Sequence, residues 1–210
     1  MKFGIALVPC PKTIALIIEL QQKIIPICPL EPILGSQQNL PHLTLLQGRF
    51  HNSLNWVDLI YSLRDYWLRQ KYGQDFQVTQ LEFKSPAWYF LILNQHEIFV
   101  DLHNFVFAGI KHHIYVTDAD LNKDISAYSE LEKINYLQYG YRYIGSAFHP
   151  HLTLGRSTNT NPDNGRYLVE LFAAQHIIKF ERITIYEMGD YGSHAATLYS
   201  VNIADYSHPI

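Results

Sequence analysis

The stretch Pro41-His42-Leu43-Thr44-Leu45 occurs twice in this chain, the second time as residues 150–154. In a β-strand successive side chains point to opposite faces, so the His and Thr of each copy share one face and the two leucines share the other. We therefore expect both copies to be strands, with the leucines in a core and the polar pair facing a cleft.

Strand and helix patterns alternate around both copies. Expected strands lie at 3–8, 40–50, 76–83, 88–93, 147–156, 179–188 and 197–204, and expected helices at 14–28, 52–72, 97–113, 124–139 and 162–174. A turn at Ser85-Pro86 predicts a hairpin between the third and fourth strands. The order strand, helix, strand pair occurs on each side of residue 115, with no Pro- or Ser-rich linker. The pattern predicts a single α+β domain, residues 1–210, of two lobes sharing a cleft.

The composition is that of an ordinary globular protein, with 48% hydrophobic and 17% charged residues among 210. A net charge of −3 provides no basic field for a long nucleic acid, so any nucleic-acid substrate should be short or held at its end. Cys10 and Cys28 form no CxxC pattern, and we expect both to be reduced. The apolar run at the start is too short for a signal peptide. We expect a cytoplasmic monomer that does not associate with membranes.

The repeated His-x-Thr pair has a chemical use. Cleavage of a phosphodiester needs one group to take a proton from the attacking oxygen and another to protonate the leaving oxygen. Imidazole, with an ordinary pKa near ~6.5, performs either step at neutral pH. A threonine hydroxyl can donate to a non-bridging phosphate oxygen. This chemistry requires no metal or cofactor, and it predicts a bell-shaped dependence of rate on pH with a maximum near neutrality.

The repeated pair has to be distinguished from the other histidines of the chain. His-x-Ser/Thr is a weak pattern among 11 histidines, and His51-Asn52-Ser53-Leu54 also fits it. Asn52 does not suit a buried strand face, and this segment lies where a helix cap is expected. A zinc site built from His149, His151 and the pair His112-His113 lacks a carboxylate or Cys at a recognisable spacing. A purely structural role for the two copies remains the alternative to catalysis.

The two His-Leu-Thr-Leu segments resemble the paired motifs of the two-histidine (2H) phosphoesterase superfamily, which includes bacterial 2′-5′ RNA ligase-like proteins and RNA 2′,3′-cyclic phosphodiesterases. The resemblance extends over nearly the whole chain and includes a closing strand pair at Arg182–Glu187, followed by Gly192 and Tyr199. It implies a bilobal α+β fold, with two antiparallel sheets and flanking helices around a central cleft and lobes related by a pseudo-twofold axis. The separation of 109 positions from His42 to His151 exceeds the usual spacing of compact members.

The resemblance also implies roles for particular residues. His42 and His151 would be the acid and base, while Thr44 and Thr153 would bind the phosphate. The expected activity is opening of a 2′,3′-cyclic phosphate at an RNA end or on a nucleotide, or 2′-5′ ligation when a 5′-hydroxyl replaces water. A non-catalytic module that binds a nucleotide or phosphate is the alternative, because residues 95–140 match no known pattern.

Three further residues are candidates for substrate contact. Arg156 follows the second motif, and its guanidinium suits an oxyanion, although it could equally be a solvated charge at a strand end. Tyr191, in a turn, and Tyr199, on the last strand, could stack on a base or simply pack. The remaining histidines, among them His194, are interpreted as structural or surface residues.

Overall fold

The structure is a computed structural model that describes residues 1–73, 75–84, 87–158 and 176–203. Its strands are β1 (Phe3–Pro9), β2 (Leu30–Glu31), β3 (Leu43–Phe50), β4 (Asp75–Lys84), β5 (Trp88–Leu93), β6 (Ile114–Tyr115), β7 (Leu152–Ser157), β8 (Ile177–Met188) and β9 (His194–Asn202). Its helices are α1 (Pro11–Ile24), α2 (Trp56–Gln70), α3 (His96–Ile110), α4 (Asp118–Leu121) and α5 (Glu130–Tyr139). The predicted α+β class is confirmed. The helix expected at 162–174, the Ser85-Pro86 turn and the end of the last strand at Ala204 lie outside the described residues.

Local chemistry sets the helix bounds. Helix α1 has Pro11 in its first turn and ends at Ile24, shortly before Pro26, because the proline nitrogen carries no hydrogen to continue the helical hydrogen bonds. Helix α2 starts later than expected, since the Asn55 side chain accepts hydrogen bonds from two backbone amides of its first turn. Helix α5 starts at a capping box formed by Ser129 and Glu132, so the helix expected from residue 124 is shorter.

Within the described residues all strand pairings are antiparallel, and they connect nine strands in the order β2-β7-β5-β4-β8-β1-β3-β6, with β9 on β8. A further pairing between β3 and β7 closes this path, at the single pair Leu43 and Leu152. The link between β4 and β8 is also short, covering Asp75–Gln77 against residues 177–179. The two repeated motifs, far apart in sequence, thereby become neighbours.

The leucines of both motifs are anchored in one hydrophobic core. Leu43, Leu45, Leu152 and Leu154 are each 0% exposed. Helix α3 packs on β3, α2 on β8 and β9, and α1 on β7, so each motif strand has a helix behind it. This packing leaves the opposite face of the strands, with the His and Thr side chains, free to line a cleft. No helix in the described part of the chain has both the length and the hydropathy that a membrane span needs.

Candidate active site

The two motifs meet at the start of their strands. Leu43 pairs with Leu152 in an antiparallel register, and the histidine of each motif immediately precedes its strand. Continued by one residue in each direction, this antiparallel register places His42 opposite Thr153 and Thr44 opposite His151. A local twofold relation therefore follows from one strand pair and two identical sequences.

A cleft of about 850 Å³ lies over this strand pair. Six of the seven residues that the sequence singles out line it: His42, Thr44, His151, Thr153, Arg156 and Tyr191. The remaining one, Tyr199, lies on β9 opposite Ile185, is 39% exposed and does not line this cleft. The volume is that of an ordinary small-molecule site.

Both imidazoles are oriented in the same way by the backbone. Nδ1 of His42 lies 2.7 Å from the carbonyl oxygen of Leu40, and Nδ1 of His151 lies 2.5 Å from that of His149. A carbonyl oxygen can only accept, so in each ring Nδ1 carries a proton and donates it. The Nε2 atom of each neutral ring consequently keeps its lone pair for proton transfer.

Burial disfavours the charged form of both imidazoles. It lowers the pKa of His42 to about 4, against the opposing effect of the hydrogen bond to Leu40. It lowers the pKa of His151 to about 3, with smaller contributions from His149, Arg142 and His42. In the free cleft at neutral pH both imidazoles are therefore neutral.

Aromatic rings enclose His151. The Phe90 ring stacks on it with centroids 3.7 Å apart, and Tyr143 approaches its edge at 5.7 Å. The π face of Phe90 would favour the ring when it is positively charged. The imidazole of His149, whose carbonyl orients His151, lies 3.1 Å from the Glu82 carboxylate. His149 is thus a supporting residue in this structure.

His42 has a polar neighbour at its Nε2 atom. The Tyr186 hydroxyl from β8 lies 3.1 Å from Nε2, and Gln47 donates to the same hydroxyl at 2.7 Å. His194, 0% exposed, stacks on Tyr186 with centroids 4.4 Å apart. Burial raises the pKa of Tyr186 to about 12, so this hydroxyl is protonated at neutral pH. Identical motifs thus have different environments.

Arg156 is held at one rim of the cleft. Its guanidinium lies 3.2 Å from a Glu31 carboxylate oxygen and 5.4 Å from the centre of the Tyr191 ring. The rings of Trp88 and Tyr191 lie in a T-shaped arrangement with their centroids 6.1 Å apart. Arg156 would have to share or exchange Glu31 in order to bind phosphate. Trp88 and Tyr191 offer flat surfaces suited to a nucleobase.

Basic side chains predominate around the opening. Lys2, Lys123, Arg142 and Arg156 line the cleft, against two aspartates, Asp124 and Asp190. Lys2 is bound to Asp120, 2.6 Å away, and so is less free to attract an anion. Arg142 and Arg156 are paired as well, with Glu132 at 3.6 Å and Glu31 at 3.2 Å, so an anionic ligand would compete with carboxylates for three of the four basic groups.

The competing histidines lie elsewhere. His51 is exposed at the end of β3, stacked on Tyr115, and does not line the cleft. His113 lies beside Ser53 near the same end of β3, away from the motif histidines at its beginning. Among the described residues no group of three or more His, Cys, Asp or Glu side chains is arranged to hold a metal ion.

No family model matches this chain, and no curated protein matches it. A function must therefore be inferred from the geometry of the cleft.

Sequence patterns did not reveal several residues that line or support the cleft. Tyr186 contacts His42 and Gln47 contacts Tyr186, while the Phe90 ring stacks on His151 and the His194 ring stacks on Tyr186. The pairing of β3 with β1 has an irregularity between Thr44 and Leu46, and Gln47 follows it. Strict alternation from His42 and Thr44 therefore does not predict that the Gln47 side chain lies on their face. Aromatic residues in strands are commonly core, so Phe90 and Tyr186 carried no distinguishing signal.

Proposed function

We propose that this protein is a 2H phosphoesterase that opens 2′,3′-cyclic phosphates at RNA ends or on nucleotides by metal-independent acid–base catalysis. The observation that carries the proposal is the antiparallel pairing of two identical motifs, which places two equivalently oriented imidazoles in one cleft. In each ring Nε2 is the nitrogen without a proton, as proton transfer needs, and that of His42 has the Tyr186 hydroxyl beside it. A core role for the motifs would not require the polar pair to face a cleft.

The reaction uses both rings at once. One imidazole takes a proton from water as the water oxygen forms a bond to phosphorus, and the other protonates the ribose oxygen whose bond to phosphorus breaks. The product is a ribose phosphomonoester. Hydroxyl groups of Thr44 and Thr153 donate to the non-bridging oxygens and hold phosphorus between the rings. With a 5′-hydroxyl as the other partner, the same site would support 2′-5′ ligation.

A bound substrate would raise the pKa of the two imidazoles. Burial leaves both imidazoles neutral in the free cleft, whereas the reaction needs one of them protonated. A phosphate anion within a few ångströms favours the charged form and raises both pKa values. The two rings titrate as one coupled unit, so one proton shared by the pair is sufficient.

The proposal includes an arrangement of the strands in two lobes. We infer two lobes, one with β2, β4, β5 and β7 and the other with the remaining strands, because the pairings that join these groups among the described strands are short. The chain passes from one lobe to the other more than once, so no single boundary near residue 115 separates them.

The free thiols of Cys10 and Cys28 suit a reducing, cytoplasmic compartment. A short RNA end or a cyclic nucleotide fits the volume of the cleft, and we infer a monomer.

Incubation with 2′,3′-cyclic nucleotides in the presence of EDTA tests the proposal. The expected result is conversion to a 2′- or 3′-monophosphate, seen by phosphorus NMR or chromatography. Saturable binding without any product would instead establish a non-catalytic nucleotide-binding module. A 3′,5′-cyclic nucleotide serves as the matched control, because its ring phosphate is held in a different geometry.

A further inference from the structure

The two catalytic imidazoles have identical motifs but different groups beside them. Among the described residues, the Tyr186 oxygen lies 3.1 Å from Nε2 of His42, while His151 is covered by the Phe90 ring. A reaction that needs one acid and one base requires some such difference. The direction of the hydrogen bonds around Tyr186 shows what this difference does.

Gln47 determines which way the Tyr186 proton points. Its amide nitrogen lies 2.7 Å from the Tyr186 oxygen and 3.0 Å from the carbonyl oxygen of Gly192. The carbonyl can only accept, so it identifies the nitrogen end of the amide, which can only donate. The Tyr186 oxygen therefore accepts a hydrogen bond from Gln47. The phenolic proton is left to donate, and His42 Nε2 at 3.1 Å is a nearer acceptor than the Gly192 carbonyl at 3.4 Å.

The neutral ring of His42 is the matching acceptor. Its Nδ1 donates to Leu40, so Nε2 presents a lone pair to the Tyr186 hydroxyl. A hydrogen bond received by the neutral form of a base opposes protonation of that base. His151 has an equivalent bond to His149 at Nδ1 but stacks on an aromatic face that tolerates a cation.

Two residues seat the Tyr186 ring. A side chain on Gly4 would meet the ring at 2.2 Å, so glycine at this position lets β8 bring Tyr186 against β1. The buried ring of His194 lies nearly parallel to Tyr186, with an interplanar angle of 15°. The hydroxyl is thus fixed in position by neighbours on the His42 side of the cleft.

We propose that Tyr186, oriented by Gln47, is a positioning residue that holds His42 as the neutral base of the pair and leaves His151 to act as the acid. This inference rests on the proposed function for its catalytic consequence, but the hydrogen-bond network exists without it. The Gly192 carbonyl lies 3.4 Å from the same hydroxyl. For His42 to take a proton from water, Tyr186 first turns its own proton to that carbonyl, which frees the Nε2 lone pair of His42 to accept the proton.

Titratable groups face His42 from the neighbouring strands in the described part of the chain. They are Tyr186 on β8, His194 on β9, whose ring centroid is 5.7 Å away, and His151 before β7. Charge on either neighbouring imidazole would further disfavour charge on His42. Burial keeps His194 neutral by lowering its pKa to about 3. Burial alone leaves His42, with a pKa of about 4, easier to protonate than His151, with a pKa of about 3, so the Tyr186 hydrogen bond to His42 and the Phe90 ring on His151 have to reverse that order.

Tyr186→Phe removes the hydroxyl and keeps the ring. Nitrogen-15 NMR of the histidine side chains measures tautomer and protonation for His42 and His151 separately, with or without turnover. Loss of a hydrogen bond of ordinary strength should shift the protonation equilibrium of His42 roughly fivefold toward the imidazolium and leave that of His151 in place. Gln47→Glu should move His42 in the same direction, because a carboxylate accepts the phenolic proton.

Tyr89→Phe is the matched control, since Tyr89 is buried and its hydroxyl contacts Cys28 outside the cleft. The acid limb of kcat/KM should move to higher pH in Tyr186→Phe and stay in Tyr89→Phe. A shift confined to His42 supports the inference even if no cyclic phosphate is cleaved. Equal movement of both histidines, or no movement of His42 in a folded Tyr186→Phe protein, overturns it.

Discussion

Acidification from pH 7 to pH 5 is expected to remove several kcal/mol of folding free energy, because three imidazoles that line the cleft are neutral in the folded protein, with His42 and His151 half-buried and His194 fully buried. Burial lowers the pKa of His42 to about 4 and those of His151 and His194 to about 3. In the unfolded chain the same side chains titrate near ~6.5. Below that pH the unfolded state binds protons that the folded state does not, so stability is lost as the pH falls from ~6.5 toward the folded pKa values.

The magnitude follows from the width of that window. A histidine that stays neutral in the folded state loses about 2 kcal/mol of stabilisation between pH 7 and pH 5. Three such residues together lose about 6 kcal/mol, as an upper limit, because coupling between them and water entry reduce the sum. A domain has a total stability of roughly 5–15 kcal/mol, so the effect is large enough to unfold it.

His194→Gln tests the size of one contribution. Urea unfolding monitored by tryptophan fluorescence at pH 7, 6 and 5 should show the free-energy loss reduced by about 2 kcal/mol relative to the parent protein. Thr184→Val is the matched control, since it removes a hydroxyl 3.4 Å from His194 Nε2 and keeps the titrating ring. It should change stability at pH 7 but preserve the pH dependence. A parent protein equally stable at pH 7 and pH 5 would show that these imidazoles are not held neutral by burial.

Three predictions concern the reaction. His42→Ala and His151→Ala should each lower kcat/KM at least ~10²-fold with the fold retained, while His51→Ala, outside the cleft, should leave it unchanged; equal damage in all three would contradict the assignment. Phe90→Leu should reduce the stabilisation of protonated His151 by about 1 kcal/mol and lower kcat roughly fivefold. An unchanged kcat would argue against a role of the Phe90 ring in stabilising that charge. Binding of a 3′,5′-cyclic nucleotide, whose charge is constant with pH, should be accompanied by proton uptake near pH 5, measured by calorimetry in two buffers; no uptake would contradict a neutral pair.

The repeated motif carried most of what could be predicted. Period-two alternation gave both strands, and the identity of the two copies indicated that they work together. Their pairing at Leu43 and Leu152 required the tertiary fold, because strand partners 109 positions apart leave no local pattern. Predicted helix bounds were wrong where a cap or a proline competed with hydrophobic periodicity. Helix α5 starts after the Ser129 cap, and helix α1 ends before Pro26.

The environments of the histidines could not be predicted in the same way. Tyr186 reaches His42 only because β1 and β3 pair and β8 lies on the other side of β1, which depends on three strands at once. Phe90 likewise covers His151 through the pairing of β5 with β7. The expected rate maximum near neutrality assumed ordinary imidazoles. Burial lowers both pKa values, so the maximum of kcat/KM should lie at lower pH than that of kcat, where bound phosphate raises them.

Hydrolysis of 2′,3′-cyclic nucleotides, measured across pH with and without EDTA, separates two-histidine catalysis from metal catalysis. Two imidazoles acting as acid and base predict a bell-shaped profile of kcat that is the same in both conditions. Loss of activity in EDTA that is restored by one particular divalent ion would contradict the two-histidine mechanism, because His42 and His151 would then be better explained as metal ligands.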